Sequence, residues 1–313
     1  MPTRPARLIA AVERSFLQAV LAAGALGLAA PTAGRWLVRY DAIAILLFLL
    51  VLASALDIQR GIARRLTSLL PRLGAVLVCS TITGIAAAWL ASHLVPDPAL
   101  RHGVLALGVA PAEIATVAMT NLAGAEPAIA AALLVASTVV SVVIAGSVLG
   151  ALAGSTVDTS GTILQLGLVV GAPLLLGLVL RPAVSRFSRA TVGIPAASVV
   201  LVVALVYLVA SQIHLSGAYL WVGAAIVAFI TTTTVAAFVI SRLVDSATRP
   251  AVVLGVAVRD FAVASGIAEA AFGPRSSGPL GLYGIAVIAT GAGLVRLLRV
   301  HSPPDDEVRP AAT

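Results

Sequence analysis

The amino-acid sequence predicts an all-α polytopic membrane protein. It predicts ten transmembrane helices in two inverted five-helix repeats, with helices four and nine unwound where they cross. Three observations support this fold class. First, 60% of the 313 residues are apolar and only 11% are charged, whereas a soluble globular protein has about 25% charged residues. Second, uncharged apolar stretches long enough to cross a bilayer, about 20 residues, recur along the chain. Third, two further stretches at corresponding positions are interrupted by charged residues.

Eight of the ten predicted spans are continuous apolar stretches. Period-two alternation is absent, so these stretches are predicted to be helices rather than barrel strands. A short amphipathic helix over 58–70 is predicted to connect spans two and three at the cytoplasmic surface. The glycine pairs Gly24–Gly27 and Gly167–Gly171 are predicted to let neighbouring helices approach closely. The eight predicted spans are 15–33, 41–58, 72–94, 127–153, 161–180, 193–213, 216–241 and 278–297.

The fourth span is predicted to be broken near its middle. Glu113 separates the apolar residues 103–112 from 114–125, and Pro111 stands at the join. Because proline cannot continue the hydrogen-bond ladder of a helix, we expect the break at Pro111 and Ala112 and a second half-helix that starts near Ala112.

The ninth span is predicted to be broken in the same way. Arg259 and Asp260 separate residues 250–258 from 261–268, which places the break at Val258. Interrupted segments at corresponding positions of two halves indicate an inverted-repeat transporter with its site at the midplane. The repeats are predicted over 1–157 and 158–300.

The distribution of arginine predicts the orientation. All 20 basic residues are Arg, and with a cytoplasmic N-terminus 15 of them fall on the inner side. Four fall outside and Arg259 lies in the membrane, which agrees with the positive-inside rule. We therefore expect a bacterial inner-membrane protein, in contact with the lipid bilayer, with both termini cytoplasmic and a disordered tail over 301–313. Topology explains the net charge of +7, so no nucleic-acid partner is expected.

Three charged residues are predicted to lie at membrane depth, where each costs about 2.5–3.5 kcal/mol or more. They are Glu113, Arg259 and Asp260. In a structural interpretation, the two acids cap half-helices and Arg259 forms an ion pair with one of them. In a functional interpretation, the three groups border a polar cavity in which a carboxylate binds a proton and Arg259 faces an anionic substrate.

Further candidate binding residues follow Glu113 in the predicted second half-helix. Thr116 and Thr120 lie three and seven residues after Glu113, on one helical face, and Asn121 extends that face. Metal and disulfide sites are not expected, because the four histidines are scattered and Cys79 is the single cysteine. No cofactor is expected apart from a coupling H⁺ or Na⁺.

The segment around the fourth-span break resembles the fourth-span signature of the bile acid:sodium symporter superfamily. The residues that carry the resemblance are 111–126, PAEIATVAMTNLAGAE, followed by Ser137-Thr138. The segment 257–262, AVRDFA, falls where that superfamily has its ninth-span motif. The resemblance implies a ten-helix fold with a panel domain and a core domain, crossed spans four and nine, and uptake of small organic anions, usually with sodium.

The chain departs from the superfamily pattern at the residues that the resemblance would assign to sodium. Val117, Ala130, Leu134 and Gly255 stand at ligand positions, and Arg259 and Asp260 replace Gln and Asn. Because sodium needs a cage of several oxygen ligands, we expect proton coupling through Glu113 or Asp260, or uncoupled exchange.

The sequence therefore predicts a secondary transporter of a small organic carboxylate that works by alternating access. A cation/proton antiporter of similar crossed-helix design is the alternative transporter. An intramembrane enzyme is disfavoured because the sequence has no motif of the kind such enzymes use, and a non-transporting membrane scaffold is the remaining alternative.

Overall fold

The structure, a computed structural model, describes residues 18–57, 62–153, 159–184, 188–213 and 216–300. Regular secondary structure in these ranges is helical, apart from one isolated β-bridge. In chain order the helices are α1 (described over Gln18–Ala29), α2 (Pro31–Val38), α3 (Ala42–Asp57), α4 (Ile62–Ser92), α5 (Pro98–Val109), α6 (Thr116–Leu122), α7 (Pro127–Ala153), α8 (Thr159–Leu166), α9 (Ala172–Val184), α10 (Ser188–Ser211), α11 (Ala218–Ile240), α12 (Arg249–Ala257), α13 (Phe261–Phe272) and α14 (Gly278–Val300).

Several of the helices are long and apolar enough to cross a membrane, so the chain is a multi-pass membrane protein. Within the described ranges five qualify, or six if Pro31–Val38 and Ala42–Leu56, bent by 80°, form one span. The helices α5, α6, α12 and α13, which flank the predicted breaks of spans four and nine, are each too short to qualify by themselves. The ten-span arrangement therefore stays a prediction. The five helices are Leu73–Ser92, Pro127–Ala153, Leu164–Arg181, Ala218–Leu243 and Pro274–Arg299.

Two elements differ from the sequence prediction. The segment between spans one and two contains α2, which begins at Pro31, a residue suited to the first helical position. The predicted surface connector over 58–70 is wrong as a separate helix, because Ile62–Ser92 is one continuous helix; residues 58–61 lie outside the described ranges. Strong helix formers such as Leu and Arg before Pro71 keep this helix continuous.

The two predicted glycine contacts have different outcomes. An added Cβ on Gly27 would lie 2.6 Å from the carbonyl oxygen of Tyr207, so α1 and α10 approach closely and that prediction is confirmed. The prediction for Gly167–Gly171 is wrong, because an added Cβ on Gly167 would meet nothing within 4 Å. These five residues instead form a π-helical turn between α8 and α9.

Packing of the helices determines where the two non-helical junctions lie. Helix α3 packs most extensively against α9 and α10, whereas α4 packs most extensively against α5 and α11. Gly177 on α9 leaves room for Ala55 on α3, and Gly108 on α5 leaves room for Ala88 on α4. The α5–α6 and α12–α13 junctions are buried among α4, α7, α11 and α14.

Candidate functional site

Two interruptions of helical structure meet at the centre of the candidate site. Helix α5 ends at Val109 and α6 begins at Thr116, and α12 ends at Ala257 and α13 begins at Phe261. The chain between the helices is non-helical over 110–115 and 258–260. The interruptions therefore expose backbone groups that helices would otherwise satisfy internally.

The two interrupted segments satisfy part of each other's backbone. Ala112 and Arg259 form an antiparallel β-bridge. The Glu113 N–H donates to the Val258 carbonyl at 3.0 Å, and the Asp260 N–H donates to the Pro111 carbonyl at 2.9 Å. Such pairing is what non-helical backbone requires at membrane depth. The sequence predicted that the second half-helix starts near Ala112, whereas α6 starts at Thr116. The pairing explains the difference, because residues 112–113 are bound to the other segment.

Hydroxyl groups from neighbouring helices complete the first interruption. Ser137 Oγ accepts a hydrogen bond from the Ala112 N–H at 3.0 Å, and Ser141 Oγ donates to the Val109 carbonyl at 2.6 Å. Both serines lie on α7 and are buried. Sequence reasoning assigned no role to them. The available signal was their i, i+4 spacing within an otherwise apolar span.

The second interruption is completed in a similar way. Tyr283 Oη, on α14, accepts from the Arg259 N–H at 3.1 Å, and Thr233 Oγ1, on α11, donates to the Ala257 carbonyl at 3.4 Å. Tyr283 is fully buried and stacks edge-on against Phe229. The two interruptions are therefore alike. In each, the N–H of the bridged residue donates a hydrogen bond to a side-chain hydroxyl, and that hydroxyl belongs to the long helix that follows the interruption. No sequence pattern identified Tyr283.

Both buried carboxylates contact the N-terminus of α13. Asp260 caps this helix: its Oδ1 accepts from the N–H groups of Ala262 at 2.9 Å and Val263 at 2.8 Å. Glu113 Oε2 accepts from the Phe261 N–H at 3.3 Å, so it contributes to the cap of α13. Its carboxylate also interacts with the backbone N–H groups of Ile114 and Ala115, just before α6. Asp260 Oδ2 has no hydrogen bond of ordinary length among the described residues, and the nearby Ile114 N–H interacts with this carboxylate.

Arg259 points to the opposite side of the junction from the capped helix. Its Nη1 donates to the Ala110 carbonyl at 3.2 Å, and its Nη2 donates to the Ser80 carbonyl at 2.5 Å and to Ser80 Oγ at 3.2 Å. Arg259 Nε has no partner within the described part of the chain. The expected ion pair with Glu113 or Asp260 is therefore wrong, because neutral oxygens of α4 and of the end of α5 hold the guanidinium.

The threonine face predicted after Glu113 does not gather at one place. Thr116 Oγ1 donates to the Glu113 carbonyl at 2.6 Å, which stabilises the turn that starts α6. Thr120 is fully buried and its Oγ1 is without a partner among the described residues, whereas Asn121 is exposed. Only Thr116 of these three therefore contacts the interruption directly.

A mainly apolar cleft lies beside Asp260. Its enclosed volume is about 20 Å³, which is room for about one water-sized group. The polar lining residues are Asp260, Ser54 and Thr138, and both hydroxyls donate to carbonyls of their own helices. Within the described residues, no basic side chain lines the cleft, so Arg259 does not face it. The apolar lining comes from α3, α7, α9, α13 and the α5–α6 junction: Val51, Ala55, Ile114, Leu134, Val135, Leu174 and Val263.

Metal binding has no obvious donor set here. In the described ranges, no group of three or more His, Cys, Asp or Glu side chains is placed to hold a metal ion. Of the buried side-chain atoms in the described residues, Asp260 Oδ2 and Arg259 Nε are the two at the junction that make no hydrogen bond of ordinary length.

The chain matches a known protein family over most of its length. The profile of the SBF-like CPA transporter family matches residues 14–288. Comparison with curated proteins gives no match. The matched range includes both interruptions and the whole cleft lining.

Proposed function

The chain belongs to the SBF-like CPA transporter family, which is related to the bile acid:sodium symporters, and from this premise we propose that it is a proton-coupled secondary transporter of small organic carboxylates. Transport proceeds by alternating access. The observation that carries this proposal is the position of Asp260. This carboxylate is fully buried and lines an apolar cleft, and among the described residues the cleft lining includes no basic side chain.

We assign α5 with α6 to span four and α12 with α13 to span nine. Two inverted repeats, over 1–157 and 158–300, then make the interruptions equivalent. The reciprocal backbone bonds of Glu113 and Asp260 support this equivalence, and so do the matching hydroxyl contacts of Ser137 and Tyr283. Helices α3, α9 and α10 belong to the panel domain, and α4, α5, α7 and α11–α14 to the core domain.

The proton-binding step is assigned to Asp260 with Glu113 beside it. Removing a charged carboxylate from water is costly unless it is paired, so a buried acid with a free oxygen readily accepts a proton. The charged or titratable groups around it are Glu113, Arg259 and Tyr283. Asp260 interacts electrostatically with Glu113, and Tyr283 interacts with both carboxylates and with Arg259. The cleft helices contribute only the neutral Ser54 and Thr138 as polar lining groups.

Coupling follows from the chemistry of this carboxylate. When Asp260 is ionised, it repels a substrate carboxylate in the adjacent cleft. When Asp260 is protonated, the repulsion disappears and its O–H can donate a hydrogen bond to the substrate. The organic anion therefore binds only together with a proton. In the described conformation the cleft has room for about one water-sized group, so α3 and α7 have to separate during alternating access before the hydrocarbon part of the substrate fits against the apolar wall.

A cation/proton antiporter is the second candidate, since an acid in a cleft without basic groups also suits a cation. The cleft supplies few oxygen ligands, from Asp260, Ser54 and Thr138. A hard metal cation takes about six oxygens. The many apolar lining residues therefore favour an organic substrate over an inorganic cation.

Uptake into proteoliposomes tests the proposal. A thermal-shift screen of small monocarboxylates selects the substrate, whose uptake is then measured with an inward proton gradient in sodium and in choline buffer. A gradient of about one pH unit, worth 1.4 kcal/mol, sustains roughly tenfold accumulation. We expect this accumulation in both buffers. Strict sodium dependence, or cation efflux in exchange for protons without carboxylate uptake, would overturn the proposal.

The variant Asp260→Asn separates proton binding from helix capping. Asn caps a helix about as well as Asp, but it cannot accept the proton, so folding persists and gradient-driven uptake is lost. Asp97→Asn is the matched control, because Asp97 caps α5 through Oδ1 in the same way and its side chain is 32% exposed. Gradient-driven uptake that survives in Asp260→Asn would show that Asp260 is only a cap.

A further inference from the structure

We infer that the guanidinium of Arg259 is a permanent, covalently attached cation that occupies an oxygen-lined pocket at the α4–α5 contact and fills the role of a bound cation there. The inference deepens the proposed function, since it assigns the fixed charge at the same junction.

The pocket is built from neutral oxygens that point at one cation. Ser80 contributes its carbonyl and its hydroxyl, and Ala110 contributes its carbonyl. Ala110 is the C-cap of α5, where the carbonyl groups carry the negative end of the helix dipole. No acidic side chain forms a salt bridge with Arg259 in the described part of the chain. The guanidinium is therefore held as a cation in a cage, not as one half of an ion pair.

The shape of the pocket also fits a guanidinium. Arg259 is only 2% exposed. Gly84 on α4 faces the guanidinium, and a side chain there would collide with it. An added Cβ would lie 2.9 Å from Nη2 and 3.3 Å from Cζ of Arg259. The same Cβ would lie 3.2 Å from the Gly108 carbonyl oxygen of α5. Gly84 thus makes space for the cation between two helices in close contact.

A cation at this junction reduces the net negative charge that is buried there. Glu113 and Asp260 are both fully or nearly fully buried, and two buried carboxylates without positive charge nearby are costly. Arg259 contacts neither carboxylate: its charge is held by oxygens of Ala110 and Ser80, whereas both carboxylates are held at the N-terminus of α13. The guanidinium therefore lowers the net charge of the junction without pairing with Asp260, which stays available to a mobile proton. A junction with a built-in cation needs no metal ion to hold α4, α5 and the α12–α13 junction together.

Chemical rescue tests the inference without any transport measurement. The variant Arg259→Ala removes the atoms that ethylguanidinium would replace, and its melting temperature in detergent is measured with ethylguanidinium, choline, sodium or the uncharged isostere ethylurea. We expect ethylguanidinium to raise the melting temperature by about 3 °C or more once the pocket is occupied, and ethylurea to have no such effect. The wild type and Arg275→Ala, whose side chain is 76% exposed in the wild type, should show no difference between these solutes.

Two results would overturn the inference. One is equal stabilisation of Arg259→Ala by ethylurea, which would mean that only volume matters. The other is an unchanged melting temperature in every cation. If Arg259→Ala does not fold, Arg259→Lys and Arg259→Met decide: the lysine variant should melt higher, and a methionine variant as stable as the lysine variant would refute the role of charge.

The outcome is independent of the transport proposal. If rescue fails while proton-driven uptake is intact, only the inference about the built-in cation is refuted. If rescue succeeds but no proton-driven uptake is found, only the proposed proton coupling is refuted.

Discussion

Arg259 and Asp260 are adjacent in sequence, yet their side chains point to opposite sides of the α12–α13 junction. Arg259 contacts α4 and the end of α5, whereas Asp260 caps α13 and lines the cleft. The sequence could place both at membrane depth, because a charge in an apolar span is costly and conspicuous. It could not predict their directions, because extended backbone at the β-bridge sends successive side chains to opposite sides.

At the same scale, Gly84 is predicted to be intolerant of a methyl group. Gly84→Ala places a Cβ 2.9 Å from Arg259 Nη2, and overpacking of this kind costs about 1–3 kcal/mol. Gly74→Ala on the same helix is the control, because its Cβ would meet nothing within 4 Å. We expect the control to be neutral or slightly stabilising. Thermal melts of both variants in detergent measure the difference, and equal melting temperatures would contradict the prediction.

At the scale of elements, each helix interruption depends on side chains that sequence patterns did not identify. Pro111 and the charged residues mark where helices cannot continue. The groups that satisfy the freed backbone, Ser137 and Tyr283, come from α7 and α14. Their role arises from tertiary packing, which periodicity in a nearly uniform apolar helix does not encode. The π-helical turn at Gly167–Gly171 was missed for the same reason.

These two hydroxyls should be coupled through the bridge that they support. Ser137→Ala and Tyr283→Phe each leave one buried N–H without its acceptor, at a cost of about 1–3 kcal/mol. Because Ala112 and Arg259 are bridge partners, the double variant should deviate from additivity by roughly 0.5 kcal/mol or more. Unfolding of the two single variants and the double variant in detergent measures this coupling. Strict additivity would show that the two interruptions are independent, and the exposed Ser147→Ala should change stability little.

At the scale of the whole molecule, the cleft lies where two sets of helices face each other. Val51, Ser54 and Ala55 on α3 and Leu174 on α9 line one side, and residues of α7, α13 and the two junctions line the other. Hydropathy and charge were sufficient to predict a multi-pass helical protein and the places where helical structure stops near Pro111 and Val258. They did not show which helices pack together, because helices that are apolar on most faces have no single buried stripe.

Alternating access in the proposed transporter requires these two sides of the cleft to move relative to each other. A thiol cross-link from Ala55→Cys to Leu134→Cys, in a Cys79→Ser background, joins α3 to α7 across the cleft. We expect it to abolish carboxylate uptake and a reducing agent to restore it, because the tether holds one conformation. The matched control joins Leu134→Cys to Val263→Cys, two lining residues on the same side, and should keep most of its uptake. Full uptake in a completely cross-linked α3–α7 variant would place the moving boundary elsewhere, and equal loss in both variants would mean that a tether anywhere in the cleft blocks the substrate.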